Sequence, residues 1–366
     1  TTVAAASGGA EPESIQSIKL NAPLDYASQG RAVTTKDYEV YVKRLFPNTQ
    51  AVSVWGGEDG SYDSSTGVSS TPEYGKVFIS VKSTTGVDLT SAQKTNLETA
   101  LAPYKVASVT PVVVDAETTS LILGITIMYD SSATTYNADQ IASLVATTVS
   151  NYNSSDLQLF NAPFRHSKLL GLIDATDSSI LNSVATVTMA KNFTPTLSSS
   201  TSYNLNFNNK FYNPHSGHNA DAGGIISSTG FYLNSVTTTE YFFDDDGAGN
   251  LRSYYLVAGV RTYNDLTAGT VDYENGKITI NAITITGVGE VDGASSSIIR
   301  ITALPNSNDI TPVRNQILEI DLTNTTYNGS VDATASTGVG YSTTTTGGTT
   351  TTTVSSVSST PSSSAY

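Results

Sequence analysis

The chain has 366 residues with 18 Lys and Arg against 32 Asp and Glu, a formal net charge of −14, and only 14% charged residues. That is long enough for two or three domains with their own cores. Its acidic, weakly charged surface argues against nucleic acid as a partner, and no apolar run reaches membrane-spanning length. Cysteine is absent, which excludes disulfides, thiolate metal sites and a Cys nucleophile.

Residues 10–46 carry two helix signals around a polar connector. Pro12 suits a first helical turn, Ile15 and Ile18 follow at helical spacing, and Pro23 is expected to stop the pattern. The second helix is expected to start at Thr34 or Thr35, with Asp37 and Glu39 near its positive end. Tyr38, Tyr41, Val42, Leu45 and Phe46 form one apolar stripe, closed by Pro47. Val52 and Val54 then lead to Trp55 as a short strand, and residues 56–72 read as a loop.

Three segments carry a family resemblance: G-A-E-P-E-S-I-Q-S-I-K-L-N-A-P at residues 9–23, Q-G-R-A-V-T-T-K-D-Y-E at 29–39, and V-W-G-G-E-D at 54–59. Together they resemble the baseplate J-like family, whose members are wedge subunits of contractile phage tail baseplates. The resemblance covers roughly the first 190 residues and points to the C-terminal half of the larger wedge protein. The opening residues have neither a basic segment nor a long apolar core, so no signal peptide is expected. The resemblance implies that the numbering begins inside a longer protein.

Residues 76–195 read as a compact α/β domain. Val77, Ile79 and Val81 alternate in a strand, Thr90 with Gln93 forms a capping box, and Leu97, Leu101 and Tyr104 share a helix face. A Val-rich strand follows at 108–115. Leu121, Leu123, Ile125, Ile127 and Tyr129 alternate in a longer one. Asn137 with Gln140 opens a second helix, Pro163 introduces a shorter one, and Ala185, Val187 and Met189 mark a closing strand. This order fits the ferredoxin-like split β-α-β plan, with one sheet face under helices and the other free for a neighbour.

From about Thr201 helical periodicity gives way to short strands and turns. Residues 241–257 form a hairpin around D-D-D-G-A-G-N. Asn275-Gly276 sits where a two-residue hairpin turn is expected. The run G-T-V-D-Y-E-N-G-K-I-T-I at 269–280 resembles a segment of larger wedge members. Residues 196–333 therefore read as an all-β domain, a small sandwich, and 334–366 as a Thr/Ser/Gly-rich tail, disordered alone. Val354 and Val357 in the β-prone tract permit the tail to add a strand to another chain. The fold class expected is α+β and multidomain, with residues 1–75 a helical connector ahead of the other domains.

Candidate chemistry is sparse. His215 and His218 in N-P-H-S-G-H are weak metal candidates, with Asp221 as a third ligand. They compete with a reading as polar loop residues. Asp244, Asp246 and Gly249 resemble the start of a calcium loop, but Ala248 and Tyr255 occupy ligand positions, so a hairpin turn fits better. His166 beside Arg165 has no recognisable Ser partner, and no phosphate-loop, dinucleotide or zinc-protease motif occurs. No cofactor or catalysis is expected.

The resemblance implies a structural subunit in the virion baseplate. It would associate as a homodimer, bind other wedge proteins and neighbouring wedges in a ring around the hub, and rearrange on contraction. The competing readings are a carbohydrate-binding adhesin module and a hydrolase. Contact candidates are Ile15, Ile18, Tyr38, Tyr41, Leu45 and Phe46 in the helical stretch, and Tyr241, Phe243 and Tyr273 in the β domain.

Overall fold

A computed structural model describes residues 15–63, 67–68, 71–84, 89–218, 224–236, 238–332, 339–346 and 349–356. In chain order the elements are α1 (Ile15–Ser28), α2 (Thr35–Leu45), β1 (Thr49–Gly56), β2 (Tyr62–Asp63), β3 (Gly67–Val68), β4 (Lys76–Ser83), α3 (Ser91–Leu101), β5 (Thr110–Val114), β6 (Glu117–Tyr129), α4 (Ala138–Ser155), α5 (His166–Asp174) and β7 (Ile180–Phe193). There follow β8 (Ser200–Asn206), β9 (Ile226–Ser228), β10 (Phe231–Leu233), β11 (Tyr241–Asp245), β12 (Asn250–Val257), β13 (Val260–Asp272), β14 (Lys277–Val288), β15 (Glu290–Val291), β16 (Ala294–Ser295), β17 (Ile299–Ala303), β18 (Gln316–Ile320), β19 (Thr326–Val331), β20 (Val339–Thr346) and β21 (Thr349–Ser356). The first of two compact units takes Thr1–Leu121, Asp156–Phe164 and Thr188–Glu319; the second takes Ile122–Ser155, Arg165–Val187 and Ile320–Tyr366.

The first unit begins with a helix-covered sheet. α2 starts where its caps dictate: Thr34 accepts the Asp37 N–H, and the Asp37 carboxylate accepts the Thr34 N–H at 2.8 Å. Its Tyr38, Tyr41 and Val42 are buried with Ile79, Val81, Leu97 and Leu101. Tyr41 also stacks on Tyr104 at 4.4 Å. α3 is capped by the Thr90–Gln93 box. β1 runs antiparallel to β4, and β4 parallel to β5. Contrary to the expected stop, α1 continues through Pro23, giving up one backbone hydrogen bond. Its last residue, Ser28, meets the Tyr41 hydroxyl at 2.7 Å.

The second unit is built on β6, whose Leu123, Ile125, Ile127 and Tyr129 are buried at every second position. α4 opens on the reciprocal Asn137–Gln140 pair and buries Ile141, Val145 and Val149. β19 pairs parallel with β6, from Thr326↔Gly124 to Val331↔Tyr129. On the opposite face Met128 and Val184 remain exposed, as a one-sided sheet requires.

The ferredoxin-like plan expected for residues 76–195 is not the observed pairing. β4 and β5 share a sheet with β1, whereas β6 pairs with β7 and β19. The helices and strands of that stretch form where expected. Part of the pairing reaches outside it: β4 also pairs with β1 upstream, and β6 with β19 about two hundred residues downstream, where local periodicity carries no information. Residues 320–333, expected in the β domain, likewise belong to the second unit.

The β domain closes on itself rather than forming a sandwich. β10, β14, β13, β12 and β11 pair in sequence, and the single pair Phe231↔Tyr241 joins β10 back to β11. Closure removes sheet edges from the ring. Phe231, Phe243, Leu251, Ile278, Ile280 and Ile285 are fully buried, with Phe231 stacked on Phe243 at 4.5 Å. The β13–β14 connection is a four-residue loop, since Asp272 pairs with Lys277. Only Gly276 in it has positive φ, at 63°, so the two-residue turn expected at Asn275-Gly276 does not form. The Asp272 carboxylate instead caps the loop, accepting from Glu274 N, Asn275 N and Asn275 Nδ2. In the tail, expected to be disordered alone, β20 pairs antiparallel with β21 from Val339↔Ser356 to Thr346↔Thr349.

Candidate interaction site: a hairpin arm on a polar root

Two strands of the closed ring outrun their neighbours. β11 stops pairing with β12 at Tyr241↔Tyr255, and β14 pairs with β13 from Gly269↔Ile280 to Asp272↔Lys277. The turn end of the β12–β13 hairpin therefore projects past both neighbours, pairing Leu256↔Arg261 and Val257↔Val260, while residues 262–268 of β13 pair with β12 alone and leave their other edge open. Its tip is Ala258-Gly259, with φ of 49° and 82°, the two-residue turn in which both central residues are left-handed. An alanine there costs about 1–2 kcal/mol, so nothing in its residue type advertised the turn.

The arm exposes a cluster of aliphatic side chains beside the polar Arg261, Asn264, Asp265 and Thr267. Leu256, Val257, Val260 and Leu266 are 51, 53, 68 and 59% exposed. A cleft of about 540 Å³ runs beside it, lined by Glu240, Phe242, Tyr255 and Leu256 among others. An exposed aliphatic cluster on a hairpin with a free edge is a docking surface by its chemistry.

Asp244 anchors the root of the arm, and the two aspartates that follow it serve other parts of the barrel. Asp244, 1% exposed, accepts from Arg252 Nε at 2.9 Å, Arg261 Nη1 at 2.8 Å and the Tyr263 hydroxyl at 3.0 Å. Arg252 lies over the Tyr263 ring at 4.3 Å, and Arg261 over that of Tyr254 at 4.7 Å. Burial pushes the Asp244 carboxyl up, against the pull of both guanidiniums and of the Tyr263 hydroxyl. Asp245 accepts from the Ile226 N–H and the Tyr273 hydroxyl; burial and then that carboxylate raise the Tyr273 phenol well above its ordinary value. Asp246 closes the β11–β12 turn, accepting from Ala248 N, Asn250 N and Asn250 Nδ2. The D-D-D-G run is therefore a hairpin turn whose carboxylates are taken up by protein donors.

The sequence-derived contact residues divide. Ile15 and Ile18 are 71 and 46% exposed. Tyr38, Tyr41 and Phe243 are buried in the chain's own core, which removes them from the contact set. Leu45 and Phe46 pack against that core, half-buried. Tyr241 is half-buried against Tyr255, 5.6 Å between ring centres, and Tyr273 is held by Asp245. The stripe on α2 was read correctly as apolar, but it points inward. The arm residues were missed, although L-V-A-G-V at 256–260 breaks the polar alternation that a half-buried hairpin should show.

His215 and His218 are brought together, with His218 Nδ1 3.4 Å from His215 Nε2. Asp221 lies outside the described residues. Among the described residues no group of three or more His, Cys, Asp or Glu is arranged to hold a metal. His166 Nε2 lies 2.9 Å from the Ala185 carbonyl oxygen. Among the described residues no helix is long and apolar enough to cross a membrane.

Residues 34–114 match the family model of the baseplate structural protein gp6, C-terminal domain I. Residues 121–192 match that of C-terminal domain III. Both matches lead to one protein. The chain is 27% identical over 203 residues to the baseplate wedge protein gp6 of Enterobacteria phage T4, covering 54% of this chain and 29% of that relative. Over these residues it is similar to a baseplate wedge protein, in agreement with the wedge resemblance read from the sequence. The chain spans less than a third of the relative's length. The first match runs from the α2 cap to the end of β5, and the second covers most of β6, all of α4 and α5, and nearly all of β7.

Proposed function

We propose that the chain is a structural, non-catalytic subunit of a contractile phage tail baseplate wedge, resident in the virion. It joins copies of itself and neighbouring wedges into a ring around the central hub, and the ring rearranges when the tail contracts. The observation that carries this reading is the pair of gp6 domain matches, nearly end to end over residues 34–192. They favour it over the adhesin alternative.

The contact between copies, as a homodimer, is assigned to the hairpin arm. A mechanical subunit needs rigid bodies with adhesive, uncharged surfaces. The arm supplies four exposed aliphatic side chains on a root held by a buried ion-pair cluster. Ile15 and Ile18 are assigned to the joint with wedge protein outside this sequence.

Sedimentation equilibrium of the purified chain tests the assignment. The wild type is expected to dimerise, and Val260→Glu and Leu256→Glu to shift it toward monomer by at least about tenfold in dissociation constant, as burying an unpaired charge requires. A dimer unchanged by both substitutions would move the contact elsewhere; a monomeric wild type at high concentration would remove it.

A further inference from the structure

We propose that His215 and His218 form a binding site for a tetrahedral divalent d-block cation, best fitted by Zn²⁺. The loop that carries them is shaped before any ion arrives. His218 N donates to the His215 carbonyl at 3.1 Å, and Gly217 takes φ of 76° to close that turn. Gly217 N and Asn213 Nδ2 both donate to the Gly247 carbonyl, at 3.0 and 2.9 Å, tying the loop to the β11–β12 turn. The His218 ring also stands edge-on to Tyr212, 5.8 Å between centres. The two imidazoles are thus placed by backbone and packing.

The spacing of their nitrogens allows one shared ion. In the absence of an ion the 3.4 Å contact is a long hydrogen bond between the two rings. Two nitrogens bound to one ion at about 2.05 Å stand about 3.3 Å apart at the tetrahedral angle, and only about 2.9 Å apart at a right angle. The observed spacing therefore lets both rings reach one tetrahedral ion with little rearrangement. His215 Nδ1 lies 3.3 Å from the Ser216 carbonyl oxygen. Donating a proton there leaves Nε2 with its lone pair free, the tautomer a ligand needs. Imidazole pairs take Zn²⁺ and its neighbours rather than Ca²⁺ or Mg²⁺, which demand oxygen. Water fills the two remaining positions in the isolated chain.

The composition makes the test clean, because the chain has three His and no Cys. Tag-free full-length chain is titrated with Zn²⁺ by calorimetry, beside His215→Gln, His218→Gln and His166→Gln. The expected result is one Zn²⁺ per chain, weakened about tenfold or more in each of the first two variants and unchanged in the third. Both substituted rings lie on a surface loop, and circular dichroism establishes that the variants are folded. No saturable binding by the wild type, or binding retained by both loop variants, overturns the proposal.

Discussion

Replacing Asp244 by alanine removes one acceptor from three donors at the root of the arm. Arg252 is 5% exposed, so its guanidinium is left in the interior, with the bond to the Asp245 carbonyl at 2.7 Å among those it keeps. Breaking a buried pair from one side costs about 3–5 kcal/mol, and the surviving bond places this case near the lower end. Arg261, its side chain 36% exposed, reaches water and adds at most about 1 kcal/mol. Losing the Tyr263 hydrogen bond adds about 1 kcal/mol. The expected total is about 4–5 kcal/mol, read as a fall in the urea midpoint followed by the near-ultraviolet dichroism of the barrel tyrosines. Replacing both partners, as Asp244→Leu with Arg252→Met, leaves no orphaned charge and should recover most of the loss. Arg261→Gln alone should cost less than about 1 kcal/mol. If Asp244→Ala stays within about 1 kcal/mol of wild type, or the double variant costs the sum of its parts, the buried cluster does not hold the arm.

Three smaller perturbations test other parts of the structure. Thr34→Ala should lower stability by about 1 kcal/mol, read from the fluorescence of Trp55, the single tryptophan, buried on β1; no change would deny the α2 capping box. Asn275, through its side chain and then the loop N–H groups, holds the Asp272 carboxyl below its ordinary value, against burial. The folded chain therefore releases that proton at lower pH than the unfolded chain. The stabilisation is complete above the unfolded value of about 3.9 and is lost as pH falls through the folded one. Asp272→Asn should flatten this acid limb in denaturation curves; parallel curves would rule out the carboxylate cap. Gly276→Ala meets both a left-handed φ and the Asn209 backbone, so it should cost more than the roughly 1 kcal/mol of the conformation alone. A thermal midpoint equal to wild type would contradict the loop geometry.

What could be read in the sequence was what the chain decides locally. The pairs Thr34 with Asp37, Thr90 with Gln93 and Asn137 with Gln140 cap their helices because cap and partner lie three residues apart. The alternation in β6 appears intact as burial. Strand partners were not legible: β4 chose β1, and β6 chose β19, by hydrophobic closure over long separations. Turn type misled in both directions. Asn275-Gly276 looked like the two-residue turn, but the side chain of Asp272 imposed a longer loop, while the two-residue turn formed at Ala258-Gly259. The α2 stripe illustrates why contact residues are hard to read. Tyr38 and Tyr41 have the composition of an interface and fill a core, and only the fold separates the two.

The account rests on a mechanical role in the tail, and its most direct test is the location of the chain in the intact particle. Labelled antibody against residues 256–268, with quantitative mass spectrometry of washed baseplates, should place it at the tail end in a fixed ratio to the other wedge proteins. Particles free of the chain after washing, or a chain recovered as a solitary soluble monomer, would contradict it.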